Sequence, residues 1–302
     1  MATLASSVAV VAHGGAASSV GASDGCRDAT RLAIAKLTQG EPAIEAAIAG
    51  VVRLEDDGRF NAGSGAIYGL DGRTIEMDAA VMDSKGTLGA VACLSRVKNP
   101  ILVASAVSRT PHCMLVGEGA NRFAKVLDLP EFEGLRLQAQ THHRQVLQEL
   151  LTHAPPTGRQ SAASYRGLWN YPTSWDAAMK QHGHGTVGVV VRDRHGGFAV
   201  ATSTGGCAPA LMGRVGDTPL VGCGFYVGQM GAIAVTGVGE YIIRHMMARE
   251  VYQWLCEGMR LQDALDRAVA LVPPDVSLGL IGVTELEAAS SCNGEMAVDV
   301  ST

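Results

Sequence analysis

Residues 182–206 read HGHGTVGVVVRDRHGGFAVATSTGG. Thr186 follows a glycine and opens an apolar, strand-like run to Val191. Phe198–Thr202 is a second such run, and Thr204 follows it in a Gly-rich turn, eighteen residues after Thr186. A hydroxyl in the middle of a chain is a weak nucleophile, because nothing beside it takes its proton. A threonine at a chain terminus has its own α-amine within reach, with a pKa of about 7.7–8.0, and that amine can serve as base. Cleavage between Gly185 and Thr186 would therefore unite nucleophile and base in one residue. The plain alternative is a strand residue after a glycine turn. Gly185 favours the chemistry, since it permits a strained backbone from which a hydroxyl can attack the preceding carbonyl.

Composition narrows the class. At 302 residues, 47% hydrophobic and only 18% charged, the chain can bury a large core as one large domain, 1–302, or as two small ones. Thirty-seven glycines and few aromatics point to many tight turns. A net charge of −5 supplies no basic footprint for nucleic acid or for an acidic membrane surface. No apolar run reaches the ~18 residues that cross a bilayer. The opening segment has no basic n-region and its apolar core, Val8–Ala12, is short, so it reads as a first buried strand and not a leader. Seven scattered cysteines without C-x-x-C spacing read as reduced thiols in a cytoplasmic protein.

Periodicity gives the element order. Helices are expected over Asp28–Leu37 and, with Pro42 in its first turn, through Ile44, Ile48 and Val51. Glu76–Met82 and Leu88–Leu94 form a hairpin through Asp83-Ser84-Lys85-Gly86. Ile101–Ser108 and Glu118–Leu127 are helical. Residues 153–180 carry three prolines and no period, which reads as an exposed linker running to the candidate cleavage bond at 185. A strand at Ala232–Thr236, helices at Tyr241–Glu257 and Leu261–Leu271, and a strand near Leu280–Val283 complete the chain. Helices grouped between strand pairs indicate sheets covered by helices on the outside, an α+β arrangement and not a βαβ array.

Two further motifs carry chemistry. Gly213-Arg214-Val215-Gly216-Asp217 offers a planar guanidinium fork for a carboxylate and an acid for an ammonium, the two charges an amino acid bears on one carbon. A surface ion pair is the competing reading. Thr236-Gly237-Val238-Gly239-Glu240 lies at a strand-to-helix junction, where a hydroxyl and free backbone N–H groups can stabilise an oxyanion; a phosphate turn lacks its Lys-Ser/Thr. The pairs His142-His143 and His182/His184 have no third ligand at metal spacing, and Glu55-Asp56-Asp57 reads more simply as a solvated helix end.

Together these pieces resemble the plant-type L-asparaginase/isoaspartyl aminopeptidase family of N-terminal-nucleophile hydrolases. The matching stretches run in family order: HGGAA (13–17), LEDDGRFNAGSGAIYGLDGRTIEMDAAVMD (54–83), NP (99–100) with TPHCMLVGEGANRFA (110–124), GTVGVVV (185–191), ATSTGG (201–206), GRVGDTPLVGCG (213–224) and TGVGE (236–240). The resemblance implies a four-layer αββα sandwich of largely antiparallel sheets, self-cleaved into pieces 1–185 and 186–302. Thr186 would be the nucleophile and Thr204 would tune it. Thr236 and Gly237 would form the oxyanion hole. Arg214 and Asp217, with Gly239, would hold the substrate's α-carboxylate and α-amine, and Asn61 would line the site. A structural Na⁺ would sit on backbone carbonyls of Leu54, Glu55, Asp57, Phe60, Ala62 and Ser64, with no cofactor used in the chemistry. A homodimer of cleaved precursors is the implied assembly. The chain departs from the family at Ala210, where a lysine is usual, at Tyr226-Val227-Gly228 in place of Tyr-Ala-Asp, and in HGGAA for HGGAG.

The expected activity is hydrolysis of L-asparagine and β-aspartyl dipeptides through an aspartyl ester on Thr186. Its rivals are a glycosylasparaginase, which usually has Asp where Gly185 stands; a threonine endopeptidase, which needs an open cleft; and a binding module of the same fold that never matures.

Overall fold

A computed structural model describes residues 7–130, 167–171, 186–208 and 210–302. In the first strand, β1 (Ala9–Ala16), Val10 and Ala12 pack among helices while Ala9 and Val11 face another sheet. The same alternation governs β5 (Val187–Arg192) and β6 (Phe198–Thr204): Val187, Val189, Val191, Ala199 and Ala201 point to helices, and Val190, Phe198 and Val200 to the second sheet. Both faces are covered, which explains why these strands read as unbroken apolar runs.

The first sheet has seven strands in the order β11-β1-β5-β6-β2-β3-β4, with β2 Met77–Asp83, β3 Leu88–Leu94, β4 Met114–Val116 and β11 Met296–Ser301. The second has four, β10-β9-β8-β7, with β7 Phe225–Gly228, β8 Gly231–Gly237, β9 Leu278–Thr284 and β10 Ala288–Cys292. Every pairing is antiparallel except β3 with β4. Helices α1 (Ser23–Thr38), α2 (Ala43–Asp57), α3 (Pro100–Val107) and α4 (Gly117–Val126) cover the first sheet. The second is covered by α5 (Gly239–His245), α6 (Met247–Cys256) and α7 (Leu261–Val269). A third apolar cluster, centred on Phe225, Ile281 and Val200, fills the space between the sheets. The layers are therefore αββα, as expected.

Local sequence accounts for the close packing. α2 buries Ala43, Ala46, Ala47, Gly50, Val51 and Leu54 at three- and four-residue spacing. A Cβ on Gly50 would meet Val189 at 3.1 Å, so glycine lets α2 settle onto β5.

Several boundaries differ from expectation. α1 begins at Ser23, and Pro42 is the N-cap of α2, preceding its first turn. Tyr241–Glu257 is not one helix: Met246, at φ 44°, splits it into α5 and α6. β4, β7, β10 and β11 lack a strong alternating pattern and were not anticipated. Most of the expected linker lies outside the described residues, but Tyr171 is buried, contrary to the exposed reading of that stretch. No described helix is long and apolar enough to cross a membrane.

Candidate active site

Period-two geometry sends Thr186, Thr204 and Thr236 into the space between the sheets. Each has the parity of its inter-sheet neighbours: Thr186 that of Val190, Thr204 that of Val200, and Thr236 that of Ala232 and Ala234. The β5–β6 register, Val187 opposite Ser203 and Gly188 opposite Thr202, brings the strand ends together. There the Thr186 hydroxyl donates to Thr204 Oγ1 at 3.2 Å, and Thr204 Oγ1 also accepts from the Gly206 N–H at 3.2 Å. Both threonines are buried.

Thr236 stands near the end of β8, in the second sheet. Its hydroxyl oxygen accepts from the Ala16 N–H at 3.1 Å, which leaves its own O–H to donate elsewhere. Gly237 follows at φ 146°, where a Cβ would lie 2.3 Å from the Ser277 carbonyl, so glycine is required at the strand-to-helix turn.

His13 lies on β1, paired with Gly188 of β5. Its ring is fully buried within β1, and Nδ1 accepts from the Gly15 N–H at 3.1 Å. The neutral ring then carries its proton on Nε2, facing Gly188 (a Cβ there would lie 2.4 Å away). Burial pushes its pKa down to about 3 against an upward pull from the Thr186 backbone, so the imidazole is neutral at physiological pH.

The charged side of the site lies on a loop. Arg214 donates to Glu240 Oε1 through Nε at 3.0 Å and Nη2 at 2.8 Å. Asp217 is buried, and its Oδ2 has no hydrogen-bond partner among the described residues. Burial pushes the Asp217 carboxyl up to about 7, although Arg214 draws it down. A Cβ on Gly239 would lie 2.8 Å from Arg214 Nη2 and 2.9 Å from Asp217 Oδ1. Both heads thus converge on the first turn of α5. Asn61 bonds the Gly-rich end of β6: its side-chain Nδ2 donates to the Gly206 carbonyl at 2.7 Å, and its main-chain carbonyl accepts from the Gly205 N–H at 2.8 Å.

Of the expected metal loop, Leu54, Glu55 and Asp57 occupy the last turn of α2, Phe60 and Ala62 the bends after it, and Ser64 a 3₁₀ turn. The reading of Glu55 as part of a solvated helix end is corrected: its carboxylate is fully buried and accepts from Ser203 Oγ at 2.6 Å, Ile101 N–H at 3.1 Å and Asn99 Nδ2 at 3.1 Å. Burial raises its pKa to about 8 despite these donors. Asp57 is likewise held, against Arg59 Nε at 2.6 Å. Gly185 and the two histidine pairs lie outside the described residues.

Sequence reasoning gave no role to His13, Asp78 or Thr202. Asp78, buried in β2 opposite Thr204, accepts from the Cys93 N–H at 2.9 Å across a bulge, and Thr202 donates to the Thr218 carbonyl at 3.2 Å. A polar residue inside a largely apolar strand was the available signal for His13 and Asp78.

A profile of the asparaginase family matches residues 6–300. The chain belongs to the asparaginase family. It is 35% identical over 283 residues to an isoaspartyl peptidase/L-asparaginase of Macaca fascicularis, covering 91% of this chain and 85% of that protein. A plant-type L-asparaginase of Pyrobaculum calidifontis is 38% identical over 265 residues, with 85% and 81% covered. Another, from Pyrococcus horikoshii, is 32% identical over 293 residues, with 94% and 91% covered. The family is of the N-terminal-nucleophile hydrolase type, which accords with the αββα layers.

Proposed function

We propose that this asparaginase-family chain is a self-processing amidohydrolase acting on L-asparagine and β-aspartyl dipeptides. The observation that carries the reading is the Thr186 hydroxyl, buried at a strand end and bonded to Thr204 at 3.2 Å. In maturation the Thr186 hydroxyl attacks the Gly185 carbonyl, and water hydrolyses the resulting ester. This frees residues 186–302 with the α-amine of Thr186 as base. In turnover Oγ1 adds to the side-chain amide carbonyl, and its proton passes through the amine to the leaving nitrogen. Ammonia or an amino acid departs, and water hydrolyses the aspartyl ester.

Each remaining role rests on geometry. Thr236, already accepting from Ala16, has a free O–H for the oxyanion, with the Gly237 turn beside it. Arg214 exchanges Glu240 for the substrate α-carboxylate, while Asp217 takes the α-amine beside Gly239. Asn61 lines the site through Gly205 and Gly206. Denaturing electrophoresis tests maturation: two bands of about 19 and 12 kDa, in proportion to length, against one at 31.4 kDa. A single band throughout, with no asparagine or β-aspartyl hydrolysis, would favour the non-maturing alternative.

A structural Na⁺ on the 54–64 loop is supported by backbone oxygens that crowd two glycines. A Cβ on Gly65 would lie 1.9 Å from Phe60 O and 3.0 Å from Gly58 O; one on Gly63 would lie 2.9 Å from Glu55 O. Such carbonyls suit a hard cation. Replacing Na⁺ by a bulky organic cation should lower the melting temperature, while EDTA leaves activity intact; equal melting in both buffers refutes it. A homodimer of cleaved precursors and a cytoplasmic location complete the reading, the latter supported by seven scattered cysteines without C-x-x-C spacing. Light scattering and cell fractionation test these.

A further inference from the structure

Residues 169–171, Trp-Asn-Tyr, precede the candidate cleavage bond, yet they hold the loop that leads into Arg214. The Tyr171 hydroxyl donates to the Ala210 carbonyl at 2.8 Å and accepts from the Leu70 N–H at 3.2 Å. Its ring rests on Gly69, where a Cβ would come within 2.7 Å of the phenol oxygen, and lies 4.7 Å from the Trp169 ring. Asn170 pairs both ways with Met212: Nδ2 donates to its carbonyl at 2.8 Å, and Oδ1 accepts from its N–H at 3.0 Å. The Gly213 N–H then donates to Glu76 at 2.7 Å. So four main-chain groups between Ala210 and Gly213 are held by side chains that precede Thr186 in sequence.

We propose that Asn170 and Tyr171 are positioning residues for the Arg214–Asp217 clamp, and that they latch the tail of the N-terminal piece onto the C-terminal piece after cleavage. A loop outside any strand ladder has no backbone register to fix it. Here side-chain hydrogen bonds replace the ladder, and they end one residue before Arg214. Substrate affinity therefore depends on a segment that contributes no group to the reaction.

This inference rests on the clamp binding an amino acid's α-groups, and L-aspartate, which carries both and does not turn over, is the probe. Calorimetry on matured wild-type protein, Tyr171→Phe and Asn170→Ala should show aspartate bound three- to tenfold more weakly by each variant, about the worth of one or two neutral hydrogen bonds. KM for asparagine should rise by the same factor, with kcat within twofold and both bands present. Asn170 is exposed, so its variant folds even if the Tyr171 change disturbs packing. Unchanged affinity and KM in both variants, or a loss confined to kcat, overturns the latch while leaving the clamp standing. Failure of wild-type protein to bind aspartate overturns the clamp itself, and the latch with it.

Discussion

The two halves of the proposed site are built by different means. The hydroxyl half, Thr186, Thr204 and Thr236, stands on strands of two sheets, where alternation and register fix each side chain. The charged half, Arg214 and Asp217, stands on a loop whose path is set by distant partners: Glu76, Asn170, Tyr171 and Thr202. A strand position follows from its neighbours in sequence; a loop position follows from whatever it docks against. The first half should therefore respond to chemistry and the second to geometry.

Thr186→Ala should give the largest effect, loss of both self-cleavage and hydrolysis, since one hydroxyl attacks in each. Two bands in that variant would break the strand half of the comparison. Thr186→Ser should still mature, more slowly.

Arg214→Lys keeps the charge but not the fork, so kcat/KM should fall by about 2–4 kcal/mol while two bands still form. Wild-type kinetics would place Arg214 outside the pocket.

Gly205→Ala tests where the halves join. Its Cβ would lie 2.2 Å from Asn61 Oδ1 and 2.5 Å from the Ala66 backbone, so a shift is unavoidable. A stability loss of about 1–3 kcal/mol is expected by denaturant melts, with maturation slowed. An unchanged midpoint and processing rate would show that this junction is soft.

The smallest effect is in pH. Because burial holds the Asp217 carboxyl at about 7, well above an ordinary aspartate, it is neutral below that pH and ionised above it. KM for asparagine should fall as pH rises toward 7, by at most about tenfold per unit, and then level off. Asp217→Asn should raise KM and remove this slope, whereas kcat should follow the Thr186 amine. A slope that survives in Asp217→Asn would assign the titration to another group.

Legibility followed the same division. Helices α2 and α3 and strands β2, β3, β5 and β6 were readable because their apolar spacing is strong. The break at Met246 was not, because residues 241–257 keep a helical pattern through it and only a positive φ interrupts the helix. Glu55 reads as a helix-end acid beside two others; its burial depends on Ser203, Asn99 and Ile101, which are remote in sequence.

By itself the sequence determined that helices cover the outside of the sheets and that Thr186, Thr204 and Thr236 sit at the ends of strand-like runs beside glycine turns, since these depend on local spacing and backbone freedom; the four-layer order came with the family resemblance. Tertiary structure alone decided that Arg214 and Asp217 converge at Gly239, that Asn170 and Tyr171 hold the loop before them, and that Glu55 is buried with Ser203. The reason is physical: a buried polar group must find a partner wherever the packed chain supplies one, and no local pattern encodes that address.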